Sequence, residues 1–161
     1  MARWKNSPDL ERYLQKLERL AVHPKEYIGE AIYAGADIVA DAMRSGIQSL
    51  PVAQVYAEDG MKISTITSVQ KKGLLDGFGI AKMKKDGDYY NVKLGFDGYN
   101  GQKTKAHPGG VPNSLIARSI VSGTSFRQRN DFVGKAVRST KSAAEKKMEQ
   151  KLDEKIKEIM L

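Results

Sequence analysis

The sequence has no cysteine and only two histidines. That excludes disulfides, thiolate nucleophiles and thiolate metal sites, and it leaves little for an imidazole centre. His23 stands beside a helix-starting proline and His107 lies in a glycine-rich stretch, with no carboxylates clustered around either. Long apolar runs are also missing: 29% of the residues are charged and the mean hydropathy is −0.49, far from the ~20 consecutive apolar residues of a membrane span. The stretch Met1 to Pro8 lacks the apolar segment of a secretory leader, so the product is expected to stay in the cytoplasm of the cell that makes it.

Motifs that carry chemistry are equally scarce. Gly77-Phe78-Gly79 lacks the third glycine of a dinucleotide loop, and neither a Gly-Lys-Ser/Thr phosphate loop nor a Gly-x-Ser-x-Gly elbow occurs. Asp86 and Asp88 sit in a turn with no distal glutamate to complete a calcium loop. Asp37 and Asp41, four apart on a helix, read as a solvated face rather than an acid–base pair. The residues therefore point away from an enzyme, and no cofactor or metal is expected.

What is present is enough apolar material, 40% of 161 residues, for one core in a single domain spanning 1–161. Positive charge is concentrated. The segment 101–141 holds eight bases (Lys103, Lys105, Arg118, Arg127, Arg129, Lys135, Arg138, Lys141) against Asp131 alone, so its +7 is nearly the whole net charge of +8. Such a segment suits a polyanion or an acidic protein surface, or serves only solubility.

Ser7-Pro8-Asp9 reads as a helix start with Ser7 as N-cap, followed by a stripe of Leu10, Leu14, Leu17 and Ala21. His23-Pro24 breaks this helix and opens a second that runs to Leu50-Pro51, with Ile28, Ile32, Gly35, Val39, Met43 and Ile47 at helical spacing. Its run Ala34-Gly35-Ala36 invites close approach by another element. After a polar stretch at Glu58-Asp59-Gly60, Ile63–Thr67 reads as a short strand or an extended lead-in, with Thr67 alternatively capping a brief helix through Leu75. Phe78–Met83 and Tyr90–Phe96, separated by an Asp-Gly turn, form a hairpin.

Residues 97–113 are rich in Gly, Pro and Lys and have little to bury, so they are expected to be a mobile loop. Asn113 or Ser114 then caps a short helix ending at Gly123, with a strand over Ile116–Val121 as the alternative. From Asp131 a long helix should carry Val133, Val137, Ala144, Met148, Leu152, Ile156 and Ile159 on one face. The fold class is α+β: a small antiparallel β-sheet with a hairpin, packed against two N-terminal helices and one long C-terminal helix.

Several of these features together carry a resemblance. They are the small-residue helix Gly35–Val39 running to Leu50-Pro51, the hairpin, Ile116–Val121 with Ser122-Gly123-Thr124-Ser125, the basic spacer Phe126-Arg127-Gln128-Arg129, and Asp131-Phe132-Val133-Gly134-Lys135-Ala136-Val137-Arg138. In this order, over roughly residues 25–140, the chain resembles the gene-product-ten-like tail components of tailed phages. Those proteins act as neck or tail-completion proteins in head–tail joining. Where that family usually has Glu and an aromatic before Gly-Thr, this chain has Val121-Ser122, and Asp131 stands where the family often has proline.

The resemblance implies a virion structural subunit of the neck or tail. It implies a homo-oligomeric ring, sixfold, at the head-proximal end of the tail, with tail tube and connector proteins as partners and genomic DNA passing through. On this view Lys103, Lys105, Arg118, Arg127 and Arg129, with Phe126 and Phe132, are candidate interaction residues. A small basic nucleic-acid-binding protein is the alternative, although no recognition element accompanies the charge. A nuclease would need clustered acids that the basic segment lacks.

Overall fold

A computed structural model describes residues 8–53 and 61–161; the expected Ser7 cap and the Glu58-Asp59-Gly60 stretch lie outside them. The elements follow in the order α1 Pro8–Val22, α2 Pro24–Gln48, α3 Ser68–Gly77, β1 Phe78–Ile80, β2 Lys84–Asp86, β3 Tyr89–Asn91, β4 Leu94–Phe96, α4 Asn113–Ser122 and α5 Phe132–Met160. This is the expected α+β arrangement.

Pro24 sets the α1–α2 boundary, because a proline ring supplies no N–H and clashes with the preceding turn but suits a first helical position. α2 ends where Ser49 turns back to the Ser45 carbonyl through both its backbone N–H and its hydroxyl, with Pro51 two residues on.

The frame is the antiparallel pair α2–α5. Gly46 faces Phe132, Gly35 faces Met148 and the Ala144 carbonyl, and Glu30 meets Lys155 at 3.2 Å. α2 can lie this close because its buried face is mostly small: Gly29, Ala31, Gly35, Ala36 and Ala40, with Met43 and Ile47 toward its end. At Gly35 a Cβ would collide with the Met148 side chain and come within 3.1 Å of the Ala144 carbonyl oxygen.

The apolar core lies at one end of this pair. There Ile47 and Leu74 are fully buried among Met43, Leu50, Ile66, Phe78, Ile116, Ile120 and Phe132. Phe78, Phe96 and Phe132 form a chain of tilted and edge-on rings at 5.3 and 6.3 Å, and the Arg44 guanidinium lies 5.3 Å from the centre of the Phe78 ring.

The expected hairpin is present in two pieces. β1 pairs antiparallel with β4 in the register Phe78↔Phe96, and β2 pairs with β3 around the turn Gly87-Asp88. Gly87 adopts φ +59° as the first residue of that turn, as a primed two-residue hairpin requires. Between the pieces, Ala81 donates to the Lys93 carbonyl and Met83 donates its N–H to the Tyr33 hydroxyl on α2. In the outer piece, strand β2 (Lys84–Asp86) is entirely exposed.

Of the readings open for Ile63–Thr67, the structure takes the extended lead-in, touching neighbours at single bridges, Val52↔Ile66 and Ile63↔Arg127, before Thr67 caps α3. Two expectations change. The stripe on α1 is not packed into the core: no α1 residue is buried, and Leu10, Leu14 and Leu17 remain 45, 42 and 39% exposed. On α5 the buried face begins at Phe132 and Ala136 rather than Val133 and Val137, and Val137 is 45% exposed. The bulky Phe132 fills the notch at Gly46, which turns the first two turns of α5 by one residue relative to the sequence stripe.

Candidate interaction site in the basic segment

The loop 97–113, expected to be mobile because it has little to bury, is built as a closed loop on a polar footing. Asp97 N–H donates to the Gly77 carbonyl, Asn113 N–H to Gly98, Asn100 N–H to Val111 and Val111 N–H to Gln102, all at 2.8–3.0 Å. Asn100 and Asn113 are themselves buried. The Asn113 amide donates to the Asp97 carbonyl at 2.8 Å, and Asn100 Oδ1 accepts from the Gln102 N–H at 2.7 Å. They fit because α3 carries a glycine opposite them: a Cβ on Gly73 would meet both side chains. Composition hides this arrangement, since two asparagines replace the apolar residues that ordinarily anchor a loop. Around these buried anchors the loop is largely exposed, at Asp97, Gly98 and Tyr99 as well as at the tip with Lys103 and Lys105.

α4 ends at Gly123, whose φ of +73° reverses the chain. Thr124 then holds the reversal: its N–H donates to the Arg127 carbonyl and its hydroxyl accepts from the Arg127 N–H, each at 3.0 Å. The spacer runs beside Ile63, which donates to the Phe126 carbonyl and accepts from the Gln128 N–H.

This geometry turns Arg127 inward, leaving it only 6% exposed. Nη1 donates to the Thr65 carbonyl at 3.0 Å, Nη2 reaches Gln70 Oε1 at 3.4 Å, and Nε has no partner. No described carboxylate makes an ion pair with it. Burial pushes the guanidinium pKa down, yet from so high a starting point that the charge persists. Gln70 is the hub of this polar cluster. Its side chain closes a reciprocal capping box with Thr67 and donates to Gln102 Oε1 at 2.8 Å, joining α3 to the loop. The Thr-x-x-Gln spacing at Thr67 was the signal available in the sequence for this helix start.

The remaining predicted residues separate into two groups. Lys103, Lys105, Arg118 and Arg129 are exposed, as is Phe126 at 49%. Phe132, at 4%, belongs to the core. Arg127 and Phe132 are therefore corrected from surface contacts to interior groups, because one is drawn toward the Thr65 carbonyl and the other toward the Gly46 notch.

Asp131, the only acid of the segment, caps α5 by accepting from the Gly134 N–H at 2.9 Å and lies 3.8 Å from Arg129 and 3.6 Å from Arg138. The Gly134 N–H first, then Arg138 and Arg129, hold its carboxyl below the usual range. Lys103, Lys105 and Arg118 are exposed with no described ion-pair partner, and Tyr99, Leu115 and Phe126 are 71, 45 and 49% exposed.

Elsewhere, among the described residues, no group of three or more His, Asp or Glu is placed to hold a metal ion, and no helix is long and apolar enough to cross a membrane. His23 lies 3.8 Å from Glu26, and Asp41 accepts from Arg44 at 3.1 Å. The chain matches no protein-family model, no curated protein and no solved structure.

Proposed function

We infer that the protein is a virion structural subunit, a tail-completion or head–tail joining component that acts by self-association into a ring and by docking to neighbouring tail and connector proteins. The observation that carries this reading is the surface of the basic segment. Exposed Lys103, Lys105 and Arg118 have no acidic partner among the described residues, and Tyr99, Leu115 and Phe126 of the same segment of sequence are exposed too. The residues that carry the family resemblance also fall on defined elements in the implied order: a small-residue helix, a hairpin, a short helix ending in Gly-Thr, and a long helix opened by Asp-Phe-Val. Bases of this kind steer docking to an acidic surface, or attract phosphate without reading sequence.

The test is charge reversal at Lys103, Lys105 and Arg118 together, with imaging of the lysate and light scattering of the purified protein. Unjoined heads and tails support a docking role. Joined particles with altered DNA retention support a channel-facing role. Normal infectious particles, or an unaltered monomer absent from virions, overturn the reading. Salt-sensitive DNA binding by that monomer would favour the nucleic-acid-binding alternative.

A further inference from the structure

Beside Arg127 the structure holds a cavity of about 300 Å³. Its walls are apolar at Ile63, Ile66, Val111 and Ile116, and its polar lining comes from Arg127, Gln70, Gln102 and Ser119. Leu115 and Phe126, both nearly half exposed, also line it. A buried cation is ordinarily compensated by a carboxylate, because its desolvation is otherwise unopposed. Among the described residues Arg127 has no such partner.

The shortfall is localised. Nη1 is committed to the Thr65 carbonyl, whereas the edge formed by Nε and Nη2 carries only the long 3.4 Å contact to Gln70 Oε1. That edge is one of the two along which a guanidinium binds a carboxylate in bidentate fashion.

We propose that this cavity is a recognition pocket for an acidic side chain flanked by apolar residues, supplied by a peptide segment of a partner protein, with the carboxylate received by the Nε–Nη2 edge of Arg127. Swinging the Gln70 side chain away from Nη2 opens that edge, and Gln102 and Ser119 lie in the same lining to accept or donate further hydrogen bonds. The cavity is at the lower bound of ligand pockets, room for an acid with an apolar neighbour.

A nucleic-acid phosphate fits poorly. Backbone phosphates are met by exposed bases, and Arg127 is recessed behind apolar walls. The inference does not depend on the assembly role above, since it concerns the chemistry of one pocket and not what the partner belongs to.

The test follows the Arg127 Nε–H signal by NMR in the full-length protein. The probes are a capped tripeptide Leu-Glu-Leu, its Leu-Gln-Leu counterpart, inorganic phosphate and a short DNA duplex. The expected result is a saturable shift with the Glu peptide and binding of the Gln peptide about tenfold weaker or less, the discrimination of a charge-assisted hydrogen bond. Ser119→Leu, which fills the cavity and leaves Arg127 intact, should abolish the response. Phe126→Glu, which places a like charge at an exposed position, should do the same without disturbing the core. Equal response to both peptides, no response to either, or an equally strong response to phosphate or duplex overturns the proposal, as does retained binding in Phe126→Glu. None of these outcomes alters the lysate phenotype expected of the exposed bases, so the two readings fail separately.

Discussion

The two ends of the α2–α5 pair are built from the same kind of amphipathic sequence and reach opposite outcomes. At the end near Phe132, large side chains from α2, α3, β1, α4 and α5 interlock around Ile47 and Leu74. At the other end no residue of α5 beyond Ala144 is buried, α2 buries only the small Gly29 and Ala31 before Gly35, and α1 buries nothing. There the contacts are peripheral: Lys16 on α1 donates to the Met160 carbonyl, and Lys155 bridges Glu30 and Glu158. An apolar stripe fixes which face of a helix turns inward, and only converging elements decide whether that face becomes a core.

The contrast is broken most forcefully at Leu74. Leu74→Ala should lower stability by about 2–5 kcal/mol, as for buried leucines generally, read as a lower urea midpoint with an unchanged slope. Equal losses at Leu74 and Leu14 would abolish the distinction between the ends. Next is Gly35→Val, which forces a branched side chain against Met148 and the Ala144 carbonyl. It should cost about 1–3 kcal/mol through overpacking, and Met148→Ala should recover part of that loss in a double-mutant cycle.

A smaller effect is expected at Asp131, where the cap and the charge can be separated. Asp131→Asn should lower the melting temperature less than Asp131→Ala, because asparagine still accepts from the Gly134 N–H. The folded pKa of Asp131 is depressed, so its contribution is complete above the ordinary aspartate range and is lost as pH falls through the folded value. The gap between wild type and Asp131→Ala should therefore close in acid, and a gap constant down to the acid limit would contradict the cap assignment. Smallest of all, Leu14→Ala on α1 should change stability by no more than about 0.5 kcal/mol, the range of exposed positions.

Much of the frame was legible in the sequence: the Pro24 boundary, the close-approach run at Gly35, the turn beside Asp86-Gly87 and the Gly123 stop all follow from local chemistry. What escaped were features that exist only when distant segments meet. The burial of Asn100 and Asn113 depends on the space left by Gly73 on another element. The inward turn of Arg127 depends on a carbonyl 62 residues away. Charge counting correctly located the basic segment, but a count weighs every base alike. Exposed Arg118 and buried Arg127 are indistinguishable until α4 sets the direction of the first and the Thr124 turn that of the second.

The placement of Phe132 also bears on the order in which the chain acquires structure during synthesis. Ile47, Leu74 and Phe78 are made early, yet the ring chain Phe78–Phe96–Phe132 and the Gly46 notch stay open until the start of α5 has left the ribosome. Contacts of such long sequence separation are paid for in loop closure before they stabilise anything. Nascent chains that have emerged from the ribosome only as far as Asn130 should therefore be cut readily by protease, whereas chains emerged through Met148 should be protected, because Phe132, Ala136 and Ala144 are then all available. Protection already complete at Asn130 would mean that the first four helices form a self-sufficient unit and that α5 is added to a finished core.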